Sequence, residues 1–162
     1  FYKELKNGDS DDMVRLRASA SMPLVSKVVR IDGRKLLDGG ITDSIPIKYF
    51  ESLGYNRNVV ILTQPADYKK SPAKMMPLIR AALKKYPAVA EAMSKRHIVY
   101  NEEKRYVFEK AALGEIFVIC PERPLGIRRT ESAPDKLQQV YDEGRNIALE
   151  QLDSVKDFLS RI

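Results

Sequence analysis

The feature that most constrains this chain is a continuous apolar run, Asn-Val-Val-Ile-Leu-Thr, at residues 58–63. Such a run, without alternating polar residues, is typical of a β-strand that is covered on both faces. A second run of this kind, at 116–120, follows a long helical stretch. Strands that alternate with helices predict an α/β fold with a partial parallel-sheet layer and flanking helices. Because a sheet of two strands exposes apolar edges, we also expect upstream sequence to add strands.

Local signals predict one hairpin and several helices around these strands. Asp32-Gly33 is a strong two-residue turn between strands at 24–31 and 35–37. Apolar residues at helical spacing, together with caps and prolines, predict helices at about 11–20, 46–53, 73–86, 88–113 and from 133 to the C-terminus.

Single residues give further expectations about the helices. We expect Ser44 or Asp43 to cap the helix that Pro46 opens, and Ser132 to cap the last helix. Gly144 lies on the apolar face of that last helix, which suggests a close contact there.

Size and composition limit the class of protein. The chain has 162 residues, which suits one domain spanning 1–162 with its own core. No apolar run approaches the ~20 residues that a membrane-spanning helix needs. The single cysteine, Cys120, ends a buried strand; it excludes an internal disulfide and a cysteine-based zinc site. No metal or organic cofactor is expected. The missing initiator Met suggests that the chain was cut from a longer protein, and we expect a cytoplasmic location.

The net charge of +6 favours acidic partners in principle. The basic residues are dispersed, however, and interleaved with acids, as in Glu102-Glu103-Lys104-Arg105. Short basic clusters such as Lys95-Arg96 are expected on a solvated helix face. A nucleic-acid binder is therefore the least favoured function class, because no groove-reading motif is present.

Asp38-Gly39-Gly40 is the part of the chain that says most about chemistry. It follows a short apolar run, so the carboxylate is expected on a sharp turn at the end of a strand. The two glycines are expected to accept positive φ and to let another group come close. Ligands of open α/β sheets lie beyond the carboxyl ends of the strands, which favours a catalytic acid. An ordinary turn, in which Asp38 bonds to its own backbone, is the alternative.

Several segments in a fixed order add to this motif. Residues 17–23 are mostly small and end in Ser-Met-Pro; the hairpin, Asp38–Gly40 and Pro46 follow, and Tyr141–Arg145 comes much later. Together they resemble the C-terminal half of patatin-like phospholipases, most firmly over residues 18–63. The resemblance implies the C-terminal portion of a patatin-like fold.

The resemblance also implies a hydrolase of lipid or other esters that works with a Ser–Asp dyad. Asp38 would be the dyad aspartate, which orients the serine hydroxyl and takes its proton during attack on the ester carbonyl. Gly39 and Gly40 would support that aspartate without reacting. Because a carboxylate is a weak base for an alcohol, the dyad depends on tight alignment and strong oxyanion stabilisation.

The chain departs from the family pattern in one decisive way. It contains neither a G-x-S-x-G elbow nor a glycine-rich oxyanion loop. Ser19, Ser21 and Ser44 belong to the matched segments, but the pattern assigns them to packing and capping. We therefore expect the nucleophile and the oxyanion loop in a missing N-terminal half, and we expect this chain alone to be inactive.

Other interpretations stay open. His97 is expected to be half-buried with a backbone or tyrosine partner. The helical stretch 73–113, which carries aromatic and basic residues, predicts a lid, a surface that contacts lipid at the membrane periphery, or plain helix packing. A non-catalytic α/β interaction module is the alternative function.

Overall fold

The structure is a computed structural model that describes residues 2–5, 8, 10–128 and 130–160. It is a mixed α/β fold in which helices dominate and the sheets are small. The helices are α1 (Ser10–Ser19), α2 (Ile47–Ser52), α3 (Met76–Ala82), α4 (Pro87–Ala112), α5 (Pro134–Glu150) and α6 (Leu152–Ser160). The strands are β1 (Val29–Ile31), β2 (Arg34–Leu36), β3 (Asn58–Ile61) and β4 (Ile116–Ile119), and a short 3-10 turn covers Gly39–Ile41.

The described residues divide into two compact units. The first contains the described residues up to Ile45 together with Lys70–Glu103. It therefore includes α1, the β1–β2 hairpin, the 3-10 turn, α3 and the N-terminal part of α4. The second contains Pro46–Lys69 and the described residues from Lys104 onward, and includes the remaining elements. A single hydrolase domain over 1–162 stays a prediction.

The predicted hairpin is confirmed in the first unit. Strands β1 and β2 are antiparallel, with Val29 opposite Leu36. The turn residues Asp32 and Gly33 have φ of 50° and 73°. Positive φ at both central positions is what a two-residue hairpin turn of type I′ requires.

The segment before β1 is a turn and not the predicted strand. The backbone N–H groups of Val25 and Ser26 both donate to the carbonyl oxygen of Met22, at 3.3 and 2.9 Å. Leu24 has a φ of 67°, and Val25 is 72% exposed. The prediction of a strand from residue 24 is therefore wrong, because local turn hydrogen bonds override the β-propensity of these side chains.

The predicted parallel strands pair in the second unit. Strand β3 lies parallel to β4, with Asn58 opposite Ile116 and Ile61 opposite Ile119. Val60 is buried, but Ile61 is 72% exposed. The parallel pairing is thus confirmed, whereas the expected coverage of both faces of β3 is not found among the described residues. The pair alone leaves one face of β3 uncovered by the described residues.

Side chains from several elements form the core of the second unit. Val107 of α4 is completely buried, and Ile116 of β4 is 3% exposed. The rings of Phe117 and Phe158 pack with centroids 5.8 Å apart. This contact joins β4 to α6, which explains why the last helix ends against the sheet.

The helix boundaries follow the prolines and glycines. Pro87 begins α4, as its position in the sequence predicts, and Gly54 and Gly114 have positive φ just after α2 and α4. None of the helices in the described ranges combines the length and apolar character that a membrane crossing requires.

The predicted C-terminal helix is two helices. Helix α5 ends at Glu150, and α6 begins at Leu152. Ser132 does not cap α5, because Ala133 occupies the cap position; Glu131 Oε1 accepts the backbone N–H groups of Ser132 and Ala133. A Cβ at Gly144 would meet no described atom within 4 Å, so the predicted close contact is wrong.

Candidate functional site

Asp38 lies just beyond β2, at the start of the 3-10 turn. Its Oδ1 accepts the backbone N–H of Gly40 at 2.8 Å. Its own backbone N–H donates to the carbonyl oxygen of Ser21 at 2.8 Å. Ser21 is 4% exposed, and its hydroxyl donates to the carbonyl oxygen of Arg17 at 2.6 Å. The position of Asp38 is therefore fixed on both sides, by its own turn and by the segment that follows α1.

The Asp38 carboxylate is partly buried, and its two oxygens differ. Oδ1 accepts from Gly40, whereas Oδ2 accepts no hydrogen bond within the part of the chain that the structure describes. A carboxylate with one oxygen anchored and the other uncommitted can accept a hydrogen bond from an incoming hydroxyl.

The two glycines after Asp38 have different roles. Neither has a φ in the left-handed region, so the expectation of positive φ is wrong at both. A Cβ at Gly40 would lie 3.2 Å from Oδ1 of Asp38, whereas a Cβ at Gly39 would meet no described atom within 4 Å. At Gly40 the space a Cβ would take therefore lies against the aspartate itself, and the approach of another group to these glycines stays a prediction.

The carbonyl oxygen of Gly40 is a second fixed point of the turn. It accepts a hydrogen bond from Arg96 Nε of α4 at 2.8 Å and another from the Ser44 hydroxyl at 2.7 Å. The expectation that Ser44 or Asp43 caps α2 is wrong, because Pro46 occupies the cap position without a side-chain bond. Arg96, expected on a solvated helix face, is partly buried and contacts the turn.

Glu103 of α4 bonds to the segment after this turn. Its Oε2 accepts the backbone N–H groups of Ser44 and Ile45, both at 3.1 Å. Burial raises the pKa of Glu103 to about 7, and the neighbouring Asp43 adds to the rise, while the two N–H donors oppose it. Asp43 in turn accepts a hydrogen bond from the hydroxyl of Tyr2. Sequence reasoning missed Glu103, because its partners lie almost 60 residues away.

No serine among the described residues donates to Asp38. The hydroxyl of Ser21 bonds to Arg17, and that of Ser44 bonds to Gly40. This agrees with the assignment of these serines to structural roles.

His97 is partly buried on α4, but its Nδ1 has no hydrogen-bond partner within the described ranges. The predicted backbone or tyrosine partner of this nitrogen is thus absent there. Cys120 is a free thiol next to β4, and burial raises its pKa, which fits the structural role expected from the sequence. No cluster of three or more metal-ligating side chains occurs within residues 2–5, 8, 10–128 and 130–160.

Two family models match separate parts of the chain. The model for patatin-like phospholipase matches residues 2–51, and a model described as a domain of unknown function (DUF6363) matches residues 86–160. The first match contains Asp38. The predicted resemblance at Tyr141–Arg145 lies instead within the second match. The expectation that patatin-like similarity extends into the C-terminal half is therefore corrected to the N-terminal region of this chain.

A comparison with curated proteins gives one distant relative. The chain is 29% identical over 133 residues to a protein of Escherichia coli (strain K12) described as "Uncharacterized protein YjjU". The aligned part covers 80% of this chain and 37% of that protein, so the chain spans little more than a third of the relative's length. No solved structure matches the chain.

Proposed function

We propose that this chain supplies the catalytic aspartate, Asp38, of a patatin-like acyl hydrolase that acts on lipid or other carboxylic esters. The serine nucleophile and the oxyanion loop come from polypeptide outside the chain, and we call the two parts together the full-length protein. The observation that carries the proposal is the Asp38 carboxylate. One of its oxygens is anchored to Gly40 and the other is uncommitted, within the segment that matches patatin-like phospholipase.

The chemistry follows from that arrangement. Asp38 Oδ2 accepts the hydrogen bond of the serine hydroxyl and takes its proton as the serine oxygen bonds to the ester carbonyl carbon. When the tetrahedral intermediate collapses, the bond from carbon to the leaving alcohol breaks, and Asp38 returns the proton to that alcohol. Water then attacks the acyl-serine and gives a proton to Asp38; the bond from the carbonyl carbon to the serine oxygen breaks, Asp38 returns the proton to the serine, and the carboxylic acid leaves. General base catalysis of this kind contributes typically ~10²–10⁴-fold, so the oxyanion donors supply much of the remaining acceleration.

The small parallel sheet fits a part of a larger layer. Strand β3 pairs only with β4 among the described strands, and Ile61 on β3 is 72% exposed. We propose that a further strand of the full-length protein pairs with the free edge of β3 and that further helices cover the face that carries Ile61, because exposed apolar edges favour association and parallel sheets are covered on their faces by helices. We also propose that the helical stretch 73–113 contacts the surface of the membrane that contains the lipid substrate.

Turnover of short-chain p-nitrophenyl esters by the full-length protein tests the proposed role. Asp38→Asn removes the base and keeps the shape of the side chain, and turnover is expected to fall by at least ~10²-fold. Asp32→Asn is a matched control, because Asp32 lies in the hairpin turn with a φ of 50°, a conformation that asparagine tolerates. Equal turnover in the two variants would refute the role of Asp38.

The second candidate is a non-catalytic α/β interaction module. It is favoured by the commitment of the Ser21 and Ser44 hydroxyls to backbone carbonyls. A native gene without a serine elbow upstream, together with absent esterase activity, would favour this module over the hydrolase.

A further inference from the structure

One helix contacts the aspartate turn from far along the chain. Arg96 of α4 donates through Nε to the carbonyl oxygen of Gly40 at 2.8 Å. Its Nη2 and Asp38 Oδ1 lie 3.8 and 3.2 Å from the point where a Cβ of Gly40 would stand. The guanidinium group therefore lies beside the carboxylate turn, separated from it by a single glycine.

The same helix makes a second contact with this loop. Glu103 lies seven residues after Arg96, which is about two helical turns, so both side chains project from one face of α4. Glu103 Oε2 accepts the backbone N–H groups of Ser44 and Ile45 at 3.1 Å. A cation thus binds a carbonyl near the start of the loop, and a carboxyl group binds two amides at its end.

The Arg96 contact matters because of what it restrains. Glycine has more backbone freedom than any other residue. A pair of glycines next to a catalytic group therefore allows that group to adopt more orientations. Gly40 donates its N–H to Asp38 Oδ1 and accepts the Arg96 hydrogen bond on its carbonyl oxygen. A restraint on that carbonyl limits rotation of the same residue whose N–H orients the carboxylate.

Arg96 has no competing acidic partner within the described part of the chain. None of the ion pairs found there includes it, whereas Arg105, nine residues later on α4, pairs with Glu109 at 2.8 Å. A hydrogen bond from a charged donor to a carbonyl is stronger than one between neutral groups. The contact with Gly40 is thus the principal polar interaction described for Arg96.

We propose that Arg96 is a positioning residue for Asp38, and that Glu103 assists it by fixing the end of the same loop. This gives the beginning of the DUF6363-matching segment, residues 86–160, a role: it orients the catalytic turn of the patatin-like segment, residues 2–51. The inference rests on the proposed function for its catalytic meaning. The restraint that Arg96 places on Gly40 can be measured without any enzymatic activity.

Hydrogen exchange of the Gly40 amide in the 162-residue chain measures how strongly Arg96 restrains Gly40. Removing the donor in Arg96→Met is expected to speed exchange at Gly40 by about tenfold or more, because a charged hydrogen bond is lost. Arg96→Lys keeps the charge but not the geometry of Nε, and its exchange rate is expected to lie between those of wild type and Arg96→Met. Arg105→Met, on the exposed part of the same helix, is expected to leave Gly40 unchanged.

The amide of Leu83 in the first unit serves as an internal reference, because its N–H bonds to Ile79 within helical backbone. Exchange at Gly40 that stays at the wild-type rate in Arg96→Met overturns the inference. If Arg96→Met instead speeds exchange at Gly40 and Leu83 equally, the substitution has destabilised the whole unit, and the exchange rates in Arg96→Lys decide whether Arg96 positions Asp38. In that variant, selective acceleration at Gly40 supports positioning, and wild-type exchange overturns it.

Kinetics of the full-length protein give the catalytic readout. Arg96→Met is expected to lower kcat per active site by about tenfold with KM changed by less than about twofold, and Arg96→Lys is expected to recover part of kcat. Active sites are counted by labelling the serine with a fluorophosphonate, so a loss of folded protein does not lower the result. If kcat is unchanged in Arg96→Met although exchange at Gly40 is selectively faster, the claim that Arg96 contributes to catalysis is overturned. If the wild-type protein itself has no esterase activity, the proposed function fails, while the exchange result still judges the contact.

Discussion

Gly40→Ala is the substitution whose effect the structure specifies most closely. The added Cβ would lie 3.2 Å from Asp38 Oδ1, 3.8 Å from Arg96 Nη2 and 4.0 Å from the Ser44 hydroxyl oxygen. The first contact is tighter than ordinary van der Waals packing, so the carboxylate has to move by a few tenths of an ångström. Because Gly40 has no positive φ, the backbone itself tolerates alanine.

A small displacement of a catalytic group is costly, since a misplacement of 1 Å can lower a rate by ~10²-fold. We therefore expect Gly40→Ala to lower kcat for p-nitrophenyl esters by about tenfold in the full-length protein, while its melting temperature changes little. Gly39→Ala is the matched control, because its Cβ meets no described atom within 4 Å and its φ is not positive. It is expected to keep kcat and to gain ~0.4–1 kcal/mol in the free energy of unfolding. Wild-type kcat in Gly40→Ala, measured beside this control, would refute the reasoning about alignment.

Two further predictions concern groups on α4. The raised pKa of Glu103, about 7 against an ordinary 4.5, means that the folded state binds this proton more tightly than the unfolded state. The stabilisation is complete below about pH 4.5 and is lost as the pH rises through about 7. Between pH 4.5 and 8 the melting temperature should decline less in Glu103→Gln than in wild type. Asp43, which is paired with Tyr2, is intact in both proteins. Equal declines in melting temperature would contradict this prediction. Lys104 is 7% exposed and donates to the carbonyl oxygens of Pro65 and Tyr68, so Lys104→Met should lower the free energy of urea unfolding by ~1–3 kcal/mol. Lys95→Met, which removes an exposed surface ion pair, should change the free energy of unfolding by less than ~1 kcal/mol. Similar losses in Lys104→Met and Lys95→Met would contradict the prediction.

The sequence predicted the elements whose cause is local. The Asp32-Gly33 turn, the break at Pro87 and the placement of Asp38 after a strand all depend on residues within a few positions of each other. Their backbone preferences act over that range, so they can be read before the chain is folded. The parallel pairing of β3 with β4 was predictable for a related reason, since continuous apolar runs separated by helices require a crossover connection.

The supporting contacts of the site could not be predicted in this way. Arg96 bonds to Gly40 across 56 positions, and Glu103 bonds to Ser44 across 59. In sequence both lie among alternating charges on a long helix, which indicates a solvated face. Only the fold shows that this face of α4 meets the loop after Asp38. The exposure of Ile61 could not be predicted for the same reason, because it depends on what packs against that face of β3.

The most direct test of the central claim is the rate at which a fluorophosphonate labels the serine of the full-length protein. The reaction requires an activated hydroxyl but no substrate specificity, so it isolates the action of Asp38 as the base. We expect labelling to be at least ~10²-fold slower in Asp38→Asn than in wild type or Asp32→Asn, with all three proteins folded. Labelling of Asp38→Asn at the wild-type rate would contradict the account.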